Sequence, residues 1–327
     1  MKILVTGAAG FIGMHVAQRL LAVGHEVRGL DNLNAYYDVR LKHYRLEALQ
    51  KNKNFEFIKL DLKEREAVAE LFDQERYDVV IHLAAQAGVR YSLEAPFEYV
   101  DSNLVGFTAI LEGVRTQGCQ HFIYASSSSV YGENSKVPFE EDDRVDEPVS
   151  LYAATKKANE LMAHSYARLY KVPITGLRFF TVYGPAGRPD MAPWLFTEAI
   201  FSGKPIRVFN NGEMYRDFTY IDDIVGGVEQ VMHQAPSNGN LHRVLNIGRG
   251  SPVPLMDFIC AIERALGKKA AKNYAEMQPG DVPKTYASTE KLYSLTGYQP
   301  RTGVEEGVRK FVSWYVEEWL PFAGLNY

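Results

Sequence analysis

Short apolar runs alternate with stretches of helical period along the first half of the chain. KILVTG (2–7), EVRGLD (26–31), FEFIKLDL (55–62), YDVVIHLAA (77–85) and HFIYAS (121–126) have the length of strands. Their apolar residues are largely continuous rather than alternating, the pattern of strands buried on both faces. Around 13–23, by contrast, Val16, Leu20 and Val23 recur at helical spacing. Strands separated by helices predict right-handed crossovers and a parallel, doubly wound α/β sheet. Such a sheet takes its ligands beyond the carboxyl ends of its strands.

The pattern breaks at GPAGRPDMAP (184–193), where glycine and proline dominate. Beyond it, VLNIG (244–248) reads as one more strand and 255–266 as an amphipathic helix. The expected organisation is a Rossmann-type nucleotide-binding domain of residues 1–178 plus about 218–250. A smaller, interleaved α/β domain of 179–217 plus 251–327 would hold the substrate. The acidic run 140–143 reads as a solvated loop, and Asp222 and Asp223 as caps of a following helix.

Composition narrows the possibilities. A chain of 327 residues can bury a sizeable core, and a net charge of −4 gives no electrostatic case for nucleic acid or an anionic membrane. Cys119 and Cys260 are isolated, and the histidines lack metal-ligand spacing, so neither a disulfide framework nor a metal is expected. The apolar start, MKILVTGAAGFIG, is too short and too glycine-broken for a signal peptide. No window approaches the roughly 18–20 apolar residues that span a bilayer. A reducing cytoplasm is the expected compartment.

The candidate chemistry lies at the strand ends. TGAAGFIG places Gly7, Gly10 and Gly13, with Phe11 and Ile12 between them, where a strand turns into a helix. Glycines there allow a tight turn and close approach to a pyrophosphate at a helix N-terminus. Asp31 ends the second strand at about the ~20-residue offset of the acid that binds ribose hydroxyls, with Asn32 beside it. A carboxylate there repels a 2′-phosphate, which favours NAD over NADP. Asp61 and Leu62, then Leu83, Ala84 and Ala85, end the next two strands and complete the cofactor set. Tyr152 and Lys156, in YAATK, put a phenol and an ammonium on one helical face. A nearby cation and a positive nicotinamide favour the phenolate, which could then take a proton from a substrate hydroxyl.

TGAAGFIG, Asp31, SSSSVYG, YAATK and RDFTYIDDI, in this order, resemble the extended short-chain dehydrogenases/reductases of the sugar-nucleotide epimerase and dehydratase group. DNLNAYYDVRLK, AAQAGVRYS, RFFTVYGPAGRPDMA and QPGDV are similar, more specifically, to UDP-glucuronate 4-epimerases. The resemblance implies oxidation of a UDP-sugar at C4 to a transient 4-keto sugar, rotation, and reduction on the opposite face, with NAD bound throughout. It implies a homodimer, paired through helices near 103–115 and 152–169. It also implies that Ser127, with Ser128, assists Tyr152 at the C4 oxygen. Dehydratases of the group carry an Asp-Glu pair where Ser128 and Ser129 stand, so their chemistry is disfavoured.

A ketone at C4 makes the C5 carboxylate of a glucuronate a β-keto acid, which can lose CO₂. Arg188 is therefore the candidate to hold that carboxylate, with Thr181 and Met191 close by. For the nucleotide half the resemblance implies Arg216 at the diphosphate, Phe209 against uracil and Asp281 at the ribose. Gln278 stands where UDP-galactose 4-epimerases carry an arginine, so Arg90 or Arg188 is expected to compensate. UDP-glucuronate decarboxylation, epimerisation of neutral UDP-sugars and a non-catalytic NAD-sensing role stay open as rival readings.

Overall fold

The computed structural model describes residues 1–237, 239–278 and 282–325. Its frame is a seven-stranded parallel sheet. The strands β1 (Lys2–Thr6), β2 (Glu26–Asp31), β3 (Phe55–Lys59), β4 (Val79–His82), β5 (His121–Ser127) and β6 (Ile174–Phe179) are joined at one edge by His242–Ile247. In space the order runs His242–Ile247, β6, β5, β4, β1, β2, β3. The winding direction therefore reverses between β1 and β4, and a crevice opens there at the carboxyl ends.

The continuous apolar strands are explained by two cores. Ile3 and Val5 pack into one hydrophobic cluster with Val79, Ile81, Ile123 and Leu177. Leu4, between them, points to the opposite face and joins Val80, Phe122, Tyr124 and Ile174. Successive strand residues alternate between faces, so both must be apolar when helices cover both.

After β6 the chain leaves the large sheet. It makes three two-stranded pairs: Thr181–Tyr183 with Phe218–Tyr220, Tyr215–Arg216 with Val253–Pro254, and Ile206–Phe209 with Lys272–Ala275. Helices Ala192–Phe201, Leu255–Leu266 and Val304–Trp314 pack around them. The edge strand His242–Ile247 lies between these pieces in sequence, so the two parts interleave.

Three local expectations change. The first helix, α1, spans Phe11–Ala22 and so begins inside the glycine motif. Asp222 and Asp223 lie within the first turn of Ile221–Met232, whose N-cap is Tyr220. The Asp223 carboxylate instead accepts hydrogen bonds from the backbone N–H groups of Arg301 and Thr302. Within the acidic run, Glu141 accepts from the Asn246 N–H at 2.8 Å, so that loop is tied to the edge strand.

Candidate active site

The glycine turn is built by close approach. Gly7 has φ +71°, and its N–H donates to the Leu30 carbonyl at the end of β2. A Cβ on Gly13 would lie 2.0 Å from the Gly7 carbonyl oxygen, so nothing larger fits. Asp31 then locks the turn. One carboxylate oxygen accepts from the Ala9 N–H at 3.2 Å, and the other from the Leu33 N–H at 2.8 Å. Lys42 stands 3.5 Å from the same carboxylate and donates to Asn34 Oδ1 at 2.9 Å. Lys42 escaped the sequence reading.

A cavity of about 360 Å³ opens over this turn at the β1/β4 crevice. Every cofactor candidate lines it: Gly7, Gly10, Phe11, Ile12, Gly13, Asp31, Asn32, Asp61, Leu62, Leu83, Ala84 and Ala85. So do Ser127, Ser128, Tyr152, Lys156, Thr181, Arg188 and Met191. Local motifs from seven strand ends and loops thus converge on one space.

The four serines divide the work. Ser126 donates to Glu160 Oε1 at 2.6 Å. Glu160 is itself held by the buried Arg178 through Nε at 2.8 Å and Nη2 at 2.9 Å. This anchors the end of β5 to the helix Leu151–Tyr170, which carries Tyr152 and Lys156. Ser127 accepts from the Ser129 N–H at 3.1 Å and lines the cavity together with Tyr152. Ser128 and Ser129 begin a short 3₁₀ turn on the cavity wall.

Burial sets the protonation of the centre. It pushes the Tyr152 phenol above its ordinary value, opposed by Ser127 and the charge of Arg188. Burial pushes Lys156 down to about 8, and its ammonium donates to the Ala125 carbonyl at 2.8 Å. The charge of Arg188 thus acts on the phenol in the direction the sequence expected of a neighbouring cation.

Arg188 already has a carboxylate of its own. Nε and Nη2 reach the two oxygens of Asp190 at 3.0 and 2.5 Å, and Tyr36 donates to Asp190 at 3.1 Å. Burial disfavours the Arg188 charge, and Asp190 more than offsets this and holds the guanidinium protonated. Asp190 and Tyr36 were also missed, although DNLNAYYDVRLK and GRPDMA contain them.

Arg90, Phe209 and Arg216 lie outside the cavity lining. The Arg90 guanidinium sits 5.3 Å from the centre of the Phe209 ring, and Arg207 stands 5.1 Å from the same centre. Arg216 donates to the carbonyls of Tyr215 and Pro283 at 3.0 and 3.3 Å. Asp281 lies outside the described residues. Among the described residues no group of His, Cys, Asp and Glu could hold a metal, and no helix is long and apolar enough to cross a membrane.

A doubly wound sheet with a glycine turn, an acid ending its second strand, and a half-buried tyrosine one helical turn from a buried lysine defines an enzyme of the short-chain dehydrogenase/reductase class. The chain belongs to the NAD dependent epimerase/dehydratase family, whose profile matches residues 3–248. It is 51% identical over 330 residues to a probable UDP-glucuronate 4-epimerase of Rhizobium meliloti (strain 1021), covering 96% of this chain and 97% of that one. It is 52% identical over 331 residues to protein CapI of Staphylococcus aureus, covering 97% and 99%. Among solved structures, the UDP-glucuronic acid 4-epimerase from Bacillus cereus in complex with UDP-glucuronic acid and NAD superposes with a TM-score of 0.90. That pair is 36% identical and covers 97% of this chain and 99% of the other.

Proposed function

We propose that the protein interconverts UDP-glucuronate and UDP-galacturonate at C4, keeping NAD bound through turnover. One observation carries the reading: a single cavity joins the glycine turn and Asp31 to Tyr152 and Ser127, and reaches Arg188. The relatives named above support the substrate and the cofactor.

The site fits NAD. A Cβ on Gly7 would lie 2.7 Å from the Ala84 nitrogen, so the turn leaves backbone close to any pyrophosphate. Gly7, Gly10, Phe11, Ile12 and Gly13 would hold the diphosphate, Asp31 and Asn32 the adenosine ribose. Asp61, Leu62 and 83–85 would line the remainder, with Lys156 at the nicotinamide ribose. Bound there, NAD would take up hydrogen from C4 and return it.

Tyr152 would accept the proton of the C4 hydroxyl and later restore it, with Ser127 and Ser128 at the same oxygen. Arg188, with Thr181 and Met191, would face the C5 carboxylate. Two guanidinium nitrogens are committed to Asp190, so Nη1 is the one that would meet the substrate. A cation there keeps negative charge on the carboxylate and so opposes loss of CO₂ from the β-keto acid. Arg90, Phe209, Arg216 and Asp281 would serve the uridine diphosphate. In this reading 1–178 with about 218–250 binds NAD, and 179–217 with 251–327 binds the sugar nucleotide. The enzyme would act in the cytoplasm as a homodimer.

Chromatography of the products from UDP-glucuronate tests the reading. UDP-galacturonate should form without added reductant and without CO₂. A UDP-pentose with released CO₂ would assign a decarboxylase instead.

A further inference from the structure

Arg45, on the helix Val39–Gln50, is fully buried and lies against no carboxylate among the described residues. Its guanidinium is satisfied by the backbone of two functional loops. Nε and Nη2 donate to the Ala186 carbonyl at 3.0 and 2.8 Å, and Nη2 also donates to Gly187 at 2.9 Å. Nη1 reaches back to the Ala9 carbonyl at 3.0 Å and to the Tyr37 hydroxyl at 2.6 Å. Ala9 is the glycine-turn residue whose N–H is held by Asp31.

The segment it grips is strained. Ala186 adopts φ +53°, a left-handed conformation that costs a residue with a Cβ and persists only where its surroundings fix it. The neighbouring Pro185 carbonyl accepts from His15 Nε2 at 2.9 Å, so α1 holds the same segment. Arg188 directly follows Gly187 and lines the cavity.

We propose that Arg45 is a positioning residue that ties the glycine turn to the strained 185–187 segment and thereby sets where Arg188 meets the substrate carboxylate. The inference rests on the reading of Arg188 given above. It adds a specificity element that touches neither ligand: cofactor loop and carboxylate-binding loop share one buried cation. Lysine could supply the charge but not the five-donor fork that spans both loops.

The test compares NAD-loaded Arg45→Lys, Arg45→Met and Arg188→Met with the parent enzyme. Apparent Kd is measured by calorimetry for UDP-glucuronate and for UDP-glucose, which lacks the carboxylate. Arg45→Lys should weaken UDP-glucuronate about tenfold and UDP-glucose less than twofold, with NAD content unchanged. In the Arg45→Lys/Arg188→Met double variant, the added loss on UDP-glucuronate should fall below twofold, because the two residues act through one contact. Equal weakening of both ligands, equal losses in both backgrounds, or no loss at all overturns the positioning role. Should Arg45→Met fail to fold, Arg45→Lys and its double variant still decide the matter. Unchanged UDP-glucuronate binding by Arg188→Met alone would instead remove the carboxylate reading on which this one stands.

Discussion

Tyr152 and Lys156 sit one helical turn apart, and burial moves both toward neutrality: the phenol upward, the ammonium down to about 8. Ser127 and the charge of Arg188 both act against burial at the phenol. Replacing only its hydroxyl should spare binding and stop proton transfer. Tyr152→Phe is expected to retain NAD and UDP-sugar while kcat falls by roughly 10²–10⁴-fold. Single-turnover product analysis measures this, and undiminished turnover would exclude the phenol as acid–base. Gly7, Gly13, Asp31, Tyr152 and Lys156 were legible in the sequence because their chemistry depends on short, local spacing. Asp190, Tyr36 and Arg45 were not. Tyr36 meets Asp190 across 154 positions and Arg45 meets Ala186 across 141, and no periodicity announces such partners.

At the scale of elements, β1–β5 were readable because two-sided burial forces continuous apolar runs. The two- to four-residue strands after β6 carry no such mark, since period-2 alternation cannot develop over so short a length. The helix Leu151–Tyr170 carries a different signal. It places Tyr152 and Lys156 in the cavity, yet Leu161, Leu169 and Tyr170 remain 58%, 68% and 47% exposed. Apolar side chains left in water on a helix that also anchors the centre fit the proposed dimer contact. Sedimentation velocity should give a dimer, and Leu161→Glu should shift it toward monomer without loss of NAD. A parent protein that sediments as a monomer at micromolar concentration would refute this.

For the whole molecule, buried histidines set the acid limit. His121 is 1% exposed and its pKa is lowered to about 4; His82 is 3% exposed and lowered to about 3, both chiefly by burial. Between these values and about 6.5 the unfolded chain binds protons that the folded one does not. Stability should therefore be full above pH 6.5 and decline as pH falls toward 4, by on the order of 3 kcal/mol per histidine. Denaturant titrations at pH 7, 5.5 and 4.5 measure the decline, and His121→Gln should make it shallower. Equal stability across that range would show that these imidazoles stay accessible to protons.

The interleaving also orders events in time. On a ribosome, β6 is complete while its outer partner His242–Ile247 has yet to be made, and at ~5–20 residues per second that delay lasts several seconds. During it the nascent sheet presents an open edge, a template for wrong pairing. The 185–187 segment emerges within the same interval and can seat on Arg45 before the edge is closed. Synthesis thus leaves time for the glycine turn and the 185–187 segment to be joined before the edge strand that closes the sheet exists.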